Sequence, residues 1–211
     1  MISVVITIND KPLIEPYTLY IQDISFDAFM NYAEEDIACE LLDGVLVIHS
    51  PASYIHESIF SFLNTVLNLF GNAHDFGKPL GSRFIMKLSS SWAPEPDIMF
   101  LTKEDQERLQ ETYLEGPASI VFEILSKSTR NDDISKKLPA YLASGVKEAW
   151  IIDPENETIS IHWTDGEEDY TGNSRATSII LPGFWIRGSW LWTPDAMPVM
   201  SALDEIEKSD Q

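Results

Sequence analysis

"ASIVFEILS", residues 118–126, sets an acid in the middle of an apolar run. Side chains alternate across the two faces of a sheet. Ile120, Phe122 and Ile124 therefore share one face, and Val121, Glu123 and Leu125 the other. The segment reads as a buried strand. A charged glutamate is expensive to bury there, so it must be protonated, paired with a cation or bound to a metal. A structural ion pair accounts for it as well as a functional site does, because structural pairs also place charges in sheets.

A second acid changes the balance. In "SWAPEPDIMFLTKED", residues 91–105, Asp97 stands at the mouth of the apolar run "IMFL", behind Pro96, which stiffens the entry. If this strand neighbours that of Glu123, two carboxylates converge. They repel and raise each other's pKa unless a cation lies between them. A hard divalent cation, Mg²⁺ or Mn²⁺, takes such oxygen ligands and keeps waters for chemistry. It can polarise a phosphodiester and lower the pKa of an attacking water.

The rest of the chain supplies a frame for these acids. "ISVVITI" (2–8), "RFIMKL" (83–88), "EAWIIDP" (148–154) and "TISIHW" (158–163) have strand character. Asp43-Gly44, between apolar runs at 38–42 and 45–49, predicts a hairpin. A short helix is expected from Ser25. A long one is expected from about residue 53, with Ile55, Ile59, Phe62, Leu63, Val66, Leu67 and Phe70 as its apolar stripe and Gly71 as its stop. "TKEDQERLQETYLEG" (102–116) reads as a polar helix. "NDDISKKLPAYLASGV" (131–146) reads as a helix bent or bounded by Pro139. "LPGFWIRGSWLW" (181–192) reads as aromatic chain packed on the sheet. Helices between strands imply an α/β (α+β) domain with a mixed sheet.

Composition narrows the function. The 211 residues are 44% hydrophobic, enough for one core. We divide them into an N-terminal strand extension (1–24), the main domain (25–195) and a polar tail (196–211), whose end "DEIEKSDQ" is expected to fray. Cys39 is the single cysteine, which excludes an internal disulfide and a paired-cysteine zinc site. The N-terminus shows neither a signal peptide nor a membrane span, so a cytoplasmic location is expected. The net charge of -20, with only 14 Lys and Arg, weighs against nucleic-acid binding.

Taken in order, "ELLDGVLVIHSP", the histidine at the start of the long helix, "PDIMF", "FEILSKSTRNDD", "KKLPAYLASGVKEAWIIDP" and "LPGFW" resemble the Uma2 (DUF820) family from about residue 25 to 192. That family is similar to the PD-(D/E)XK nuclease superfamily. The resemblance implies the restriction-endonuclease-like fold, a mixed central sheet flanked by helices, and a Mg²⁺- or Mn²⁺-dependent endonuclease acting on DNA. It makes Asp97 and Glu123 catalytic metal ligands, with Glu40 as a further metal contact. The lysine of E-x-K is missing, since Leu125 stands there. Lys137, in register with Tyr141, is the replacement, a long stem reaching from an adjacent helix. His56 and Arg83 are second-tier candidates for contact with a phosphate or a water.

Each of these has a plainer reading. Lys137 and Glu40 could be surface residues, His56 a cap, and Arg83 an ion-pair partner. Tyr141 and Trp150 read as core, and Asp132 and Asp133 as helix-terminal charges. A homodimer is expected, since cutting two strands wants two sites, with the aromatic segment 184–192 as an exposed apolar interface. Two other functions compete. One is a nuclease-fold module that binds a partner without catalysis; the other is a hydrolase of a small phosphorylated molecule.

Overall fold

The computed structural model describes residues 7–8, 11–12, 17–33, 38–81 and 83–208. Two short strands, β1 (Thr7–Ile8) and β2 (Lys11–Pro12), pair antiparallel. The strand expected over 2–8 otherwise lies outside the described residues. Then come β3 (Thr18–Ile21) and α1 (Phe26–Tyr32), whose N-cap Ser25 accepts the Ala28 N–H. The predicted hairpin is β4 (Cys39–Leu42) and β5 (Val45–His49). It turns through positive φ at both Asp43 and Gly44, the geometry that suits the twist of two-residue hairpins. β3, β5 and β4 form a small sheet.

The long helix is α2 (Tyr54–Ala73), capped by Ser53, which accepts the His56 N–H. It runs past Gly71, the expected stop. Gly71 is there for closeness: a Cβ would lie 2.8 Å from the Gly77 carbonyl oxygen and 2.9 Å from the Phe100 ring. β6 (Gly77–Gly81), β7 (Ile85–Lys87) and β8 (Ile98–Thr102) follow. The polar helix predicted over 102–116 shrinks to one turn, α3 (Lys103–Gln106). Asp105 explains this. Its buried carboxylate accepts both the Thr102 and the Ser119 N–H and pairs with Arg108. The chain is thereby drawn back toward the sheet, and residues 113–115 become β9 (Tyr113–Glu115), parallel to β7.

β10 (Ile120–Ile124) leads through α4 (Arg130–Asp132), a π turn (Asp133–Lys137) and α5 (Leu138–Ser144) to β11 (Glu148–Asp153). Pro139 cannot donate to the Ser135 carbonyl and crowds it, and the helix widens into the π turn just before it. β12 (Thr158–Trp163) and β13 (Gly166–Thr171) continue as a meander. β14 (Arg175–Thr177) pairs β15 (Trp185–Arg187), and α6 (Val199–Lys208) closes the described chain.

The main sheet runs β13-β12-β11-β10-β8-β6, parallel only between β10 and β11. The fold is the mixed, helix-flanked sheet expected. β10 divides its side chains as its alternation requires. Ile120, Phe122 and Ile124 face a core with α2 and α6; Val121 and Leu125 face a second core with Tyr141. Two expectations change. The tail does not fray at 204–208, because α6 buries Ala202 and Ile206 in the first core. Nor is the aromatic segment exposed: Phe184, Trp185, Ile186, Trp190 and Leu191 are buried in that same core, so they supply no dimer patch.

Candidate active site

Glu123 lies on the sheet face that carries the β10–β11 crossover. Asp97 immediately precedes β8, which pairs antiparallel with β10 so that Phe122 opposes Ile98. The register makes Asp97 and Glu123 neighbours across the two strands, as the sequence required for a shared site. Asp97 is held at both oxygens: Oδ2 accepts the Ile124 N–H at 2.7 Å, and Oδ1 lies 3.1 Å from His56 Nε2. Pro96 sets this entry, and the first turn of α2 brings His56 over it.

The crossover supplies the cation. Lys137, 3% exposed at the end of the π turn, lies 2.8 Å from Glu123 Oε1, 3.2 Å from Glu40 Oε2 and 3.1 Å from Asp133 Oδ1. The surface reading of Lys137 is thus overturned: its ammonium reaches Glu123 from the helix, on the strand where Leu125 replaces the lysine. Tyr141 is core, as read, but its hydroxyl also donates to Glu123 Oε1. Both contacts fall on Oε1, so neither occupies Oε2. Asp133 is likewise more than a helix-terminal charge, being 2% exposed and bound to Lys137.

Glu40 is buried, with both oxygens engaged. Oε1 meets His49 Nε2 at 2.8 Å; Oε2 meets Lys137 and accepts the Glu95 N–H. Its surface reading fails, and its geometry is that of a support for Lys137. Burial works against its charge, but Lys137 and the His49 hydrogen bond win and hold its pKa down to about 2. Glu123 moves the other way. Burial pushes it well above the usual carboxylate range against the pull of Lys137, helped by Asp133, Asp97 and Glu40. Glu95 is pushed up to about 8 by burial and by Glu40, against Arg83 and Lys137. For His56, burial disfavours the charged ring, but the hydrogen bond and charge of Asp97 outweigh it and raise the pKa.

These residues floor a cleft of about 900 Å³. Its walls are the loop Ser126–Arg130 after β10, the segment Ser50–His56 leading into α2, and Arg83. Arg83 is thus at the site, its charge set against Glu95. Glu95 escaped the reading of the sequence, although "PEPD" repeats an acid two residues before Asp97.

The donors suit a hard divalent cation. Asp97 and Glu123 offer oxygens from adjacent strands, and Glu123 Oε2 is left by both Lys137 and Tyr141, which meet Oε1. Among the described residues, no three His, Cys, Asp or Glu side chains form a preformed metal cage. A Mg²⁺-type ion needs none, since one or two carboxylates, waters and substrate phosphate oxygens suffice.

The family profile described as "Putative restriction endonuclease", Uma2, matches residues 26–189, most of the chain and all of this site. The chain belongs to the Uma2 family. No curated protein matches it. Among solved structures it is similar to one from Anabaena variabilis, titled a "putative nuclease belonging to DUF820". The TM-score is 0.72 at 17% identity, covering 80% of this chain and 97% of that one. At that identity the likeness concerns the fold. Among the described residues no helix is long and apolar enough to cross a membrane.

Proposed function

We propose that this Uma2 protein is a metal-dependent endonuclease that hydrolyses phosphodiester bonds of DNA, with Asp97 and Glu123 holding Mg²⁺ or Mn²⁺. The observation that carries this reading is the buried Lys137 ammonium 2.8 Å from Glu123, one strand away from Asp97. The bound ion would polarise the phosphate and lower the pKa of a water.

The chain's own groups do the rest. The Ile124 N–H and His56 fix the Asp97 carboxylate at its two oxygens, so no reorganisation is needed when it takes a ligand. Lys137 faces three carboxylates and stays an ammonium, well above its ordinary pKa despite burial. It therefore serves as a fixed positive charge near the reacting phosphate rather than as a base. Glu40 and Asp133 position it, and Tyr141 orients Glu123.

Calorimetric titration of Mn²⁺ into wild type and Asp97→Asn, with cleavage assays on both, tests the reading. A stoichiometric site and cleavage, both lost in the variant, support it. Equal binding and cleavage in the two would sink it. The acid-rich cleft wall favours one alternative, a nuclease-fold module that binds a protein partner. That alternative expects no cleavage with an intact melting curve.

A further inference from the structure

If the cleft is a nuclease site, its charges restrict what can enter. A duplex carries one negative charge per about 1.7 Å of its axis, and its binding rests on several Lys or Arg contacts to phosphate. The cleft has little to offer. Lys137 is spent on three carboxylates. Arg130 grips Asp153 through two hydrogen bonds of 2.6 and 2.7 Å and also reaches Glu155. Arg83 is engaged as well. Of the cations lining the cleft, Lys127 alone makes no ion pair or hydrogen bond among the described residues. It is exposed, in a loop with the hydroxyls of Ser126, Ser128 and Thr129. Acids outnumber cations along the wall.

What the cleft lacks in charge it has in apolar and aromatic surface. Ile55, Phe60, Pro51 and Pro96 line it. A second groove of about 550 Å³ lies on the other side of the first turn of α2, lined by Tyr54, Phe62, Trp190 and Met197. Glu57 borders both. Tyr54, on the lining of the second groove and flanked in sequence by Ser53 and Ile55 of the cleft, is 73% exposed, the most exposed large apolar side chain among the described residues. Exposed aromatic rings bind single strands by stacking on bases, a contact indifferent to sequence that adds to whatever phosphate contacts are present.

We propose that the site takes single-stranded nucleic acid: one phosphate meets Lys127 on the cleft wall beside the carboxylate floor, and the strand passes over Tyr54 into the second groove. This rests on the nuclease reading and names its substrate. It also reconciles the reading with a net charge of -20, since recognition then depends on one cation and one ring rather than on a basic surface.

The test uses the full chain and a fluorescent single strand of about 12 nucleotides, within the usual site size of single-strand binders. Anisotropy is read in Ca²⁺, with the matching duplex as competitor, and cleavage is followed separately in Mn²⁺. The single strand should bind and be cut at least tenfold better than the duplex. Its affinity should fall with salt at a log–log slope of about −0.7, the value for one phosphate on a single strand. Tyr54→Ala should weaken binding about fivefold or more, and Tyr54→Trp should restore it; Lys127→Ala should flatten the salt slope. Equal or better use of the duplex, a slope steeper than about −2, or full binding by Tyr54→Ala would overturn the proposal. Duplex cleavage as fast as that of the single strand, and lost in Asp97→Asn, would overturn this inference while leaving the nuclease reading intact. Cleavage of neither form would sink both.

Discussion

Two buried glutamates lie on neighbouring strands of one sheet, and only one lines the cleft. Glu148 opens β11 opposite Ile120 and shares the face that packs on α2. Glu123 sits in β10 on the other face. Both are nearly inaccessible, at 0% and 2%. Burial pushes both pKa values up. The difference is in their partners. Glu148 accepts hydrogen bonds from neutral donors alone: Trp150 Nε1, the Ser178 hydroxyl and the Ile179 and Ile180 N–H groups. It pins the chain after β14 onto the sheet. Glu123 faces a cation, other acids and a cleft. Burial of a carboxylate does not by itself tell the two apart; a cation, neighbouring acids and an opening do.

The comparison can be broken most sharply at the site. Asp97→Asn should lower cleavage by about 10²–10³-fold with the melting temperature held, whereas Glu148→Gln should leave the turnover of folded protein unchanged. Equal losses of turnover in both, with both folded, would erase the distinction.

Glu40 tests the charged network by pH. Its pKa is held at about 2, against 4.5 in an exposed carboxyl. Its contribution is complete above pH 4.5 and is lost as the pH falls through 2. Glu40→Gln should therefore cost about 3 kcal/mol in urea unfolding at pH 7, a gap that closes toward pH 2. A pH-independent gap would mean that Glu40 acts through packing. Glu148→Ala strands four donors and should cost about 2–3 kcal/mol, a gap that narrows as the pH rises above 4.5, because burial raises the Glu148 pKa and opposes its ionisation in the folded chain. Smallest is Arg130→Lys. Its partner Asp153 is buried, but the guanidinium is 30% exposed, and losing the fork should cost no more than about 1 kcal/mol.

The residues that line the candidate site were easier to read from the sequence than the strands around it. Alternation in 120–125 assigned the faces, and Pro96-Asp97 with Glu123 named two acids whose strands had only to be neighbours, a pairing that the register of β8 and β10 supplies. Lys137 was legible only through the family resemblance that sets it in register with Tyr141; on its own it reads as a surface lysine. Asp133 was not: one turn from a helix start, an acid reads as a terminal charge, and only the π turn buries it beside Lys137. Glu40 was recognised as a site acid, but its work of holding Lys137 depends on His49 across the hairpin, which sequence spacing does not reveal. The edge strands were silent. β6 is "GKPLG" and β13 is "GEEDYT", compositions that read as loop until neighbouring strands impose pairing. Glu148 went unremarked, although "EAWIID" sets an acid among apolar residues as "IVFEIL" does.

β13 has a consequence for the protein in bulk. It is the outer strand of the main sheet and is largely exposed, with Glu167, Glu168 and Asp169 along it. A free edge is a template for the next copy, and like charges facing across a new ladder oppose that growth. The acids of β13 are thus a guard against filaments.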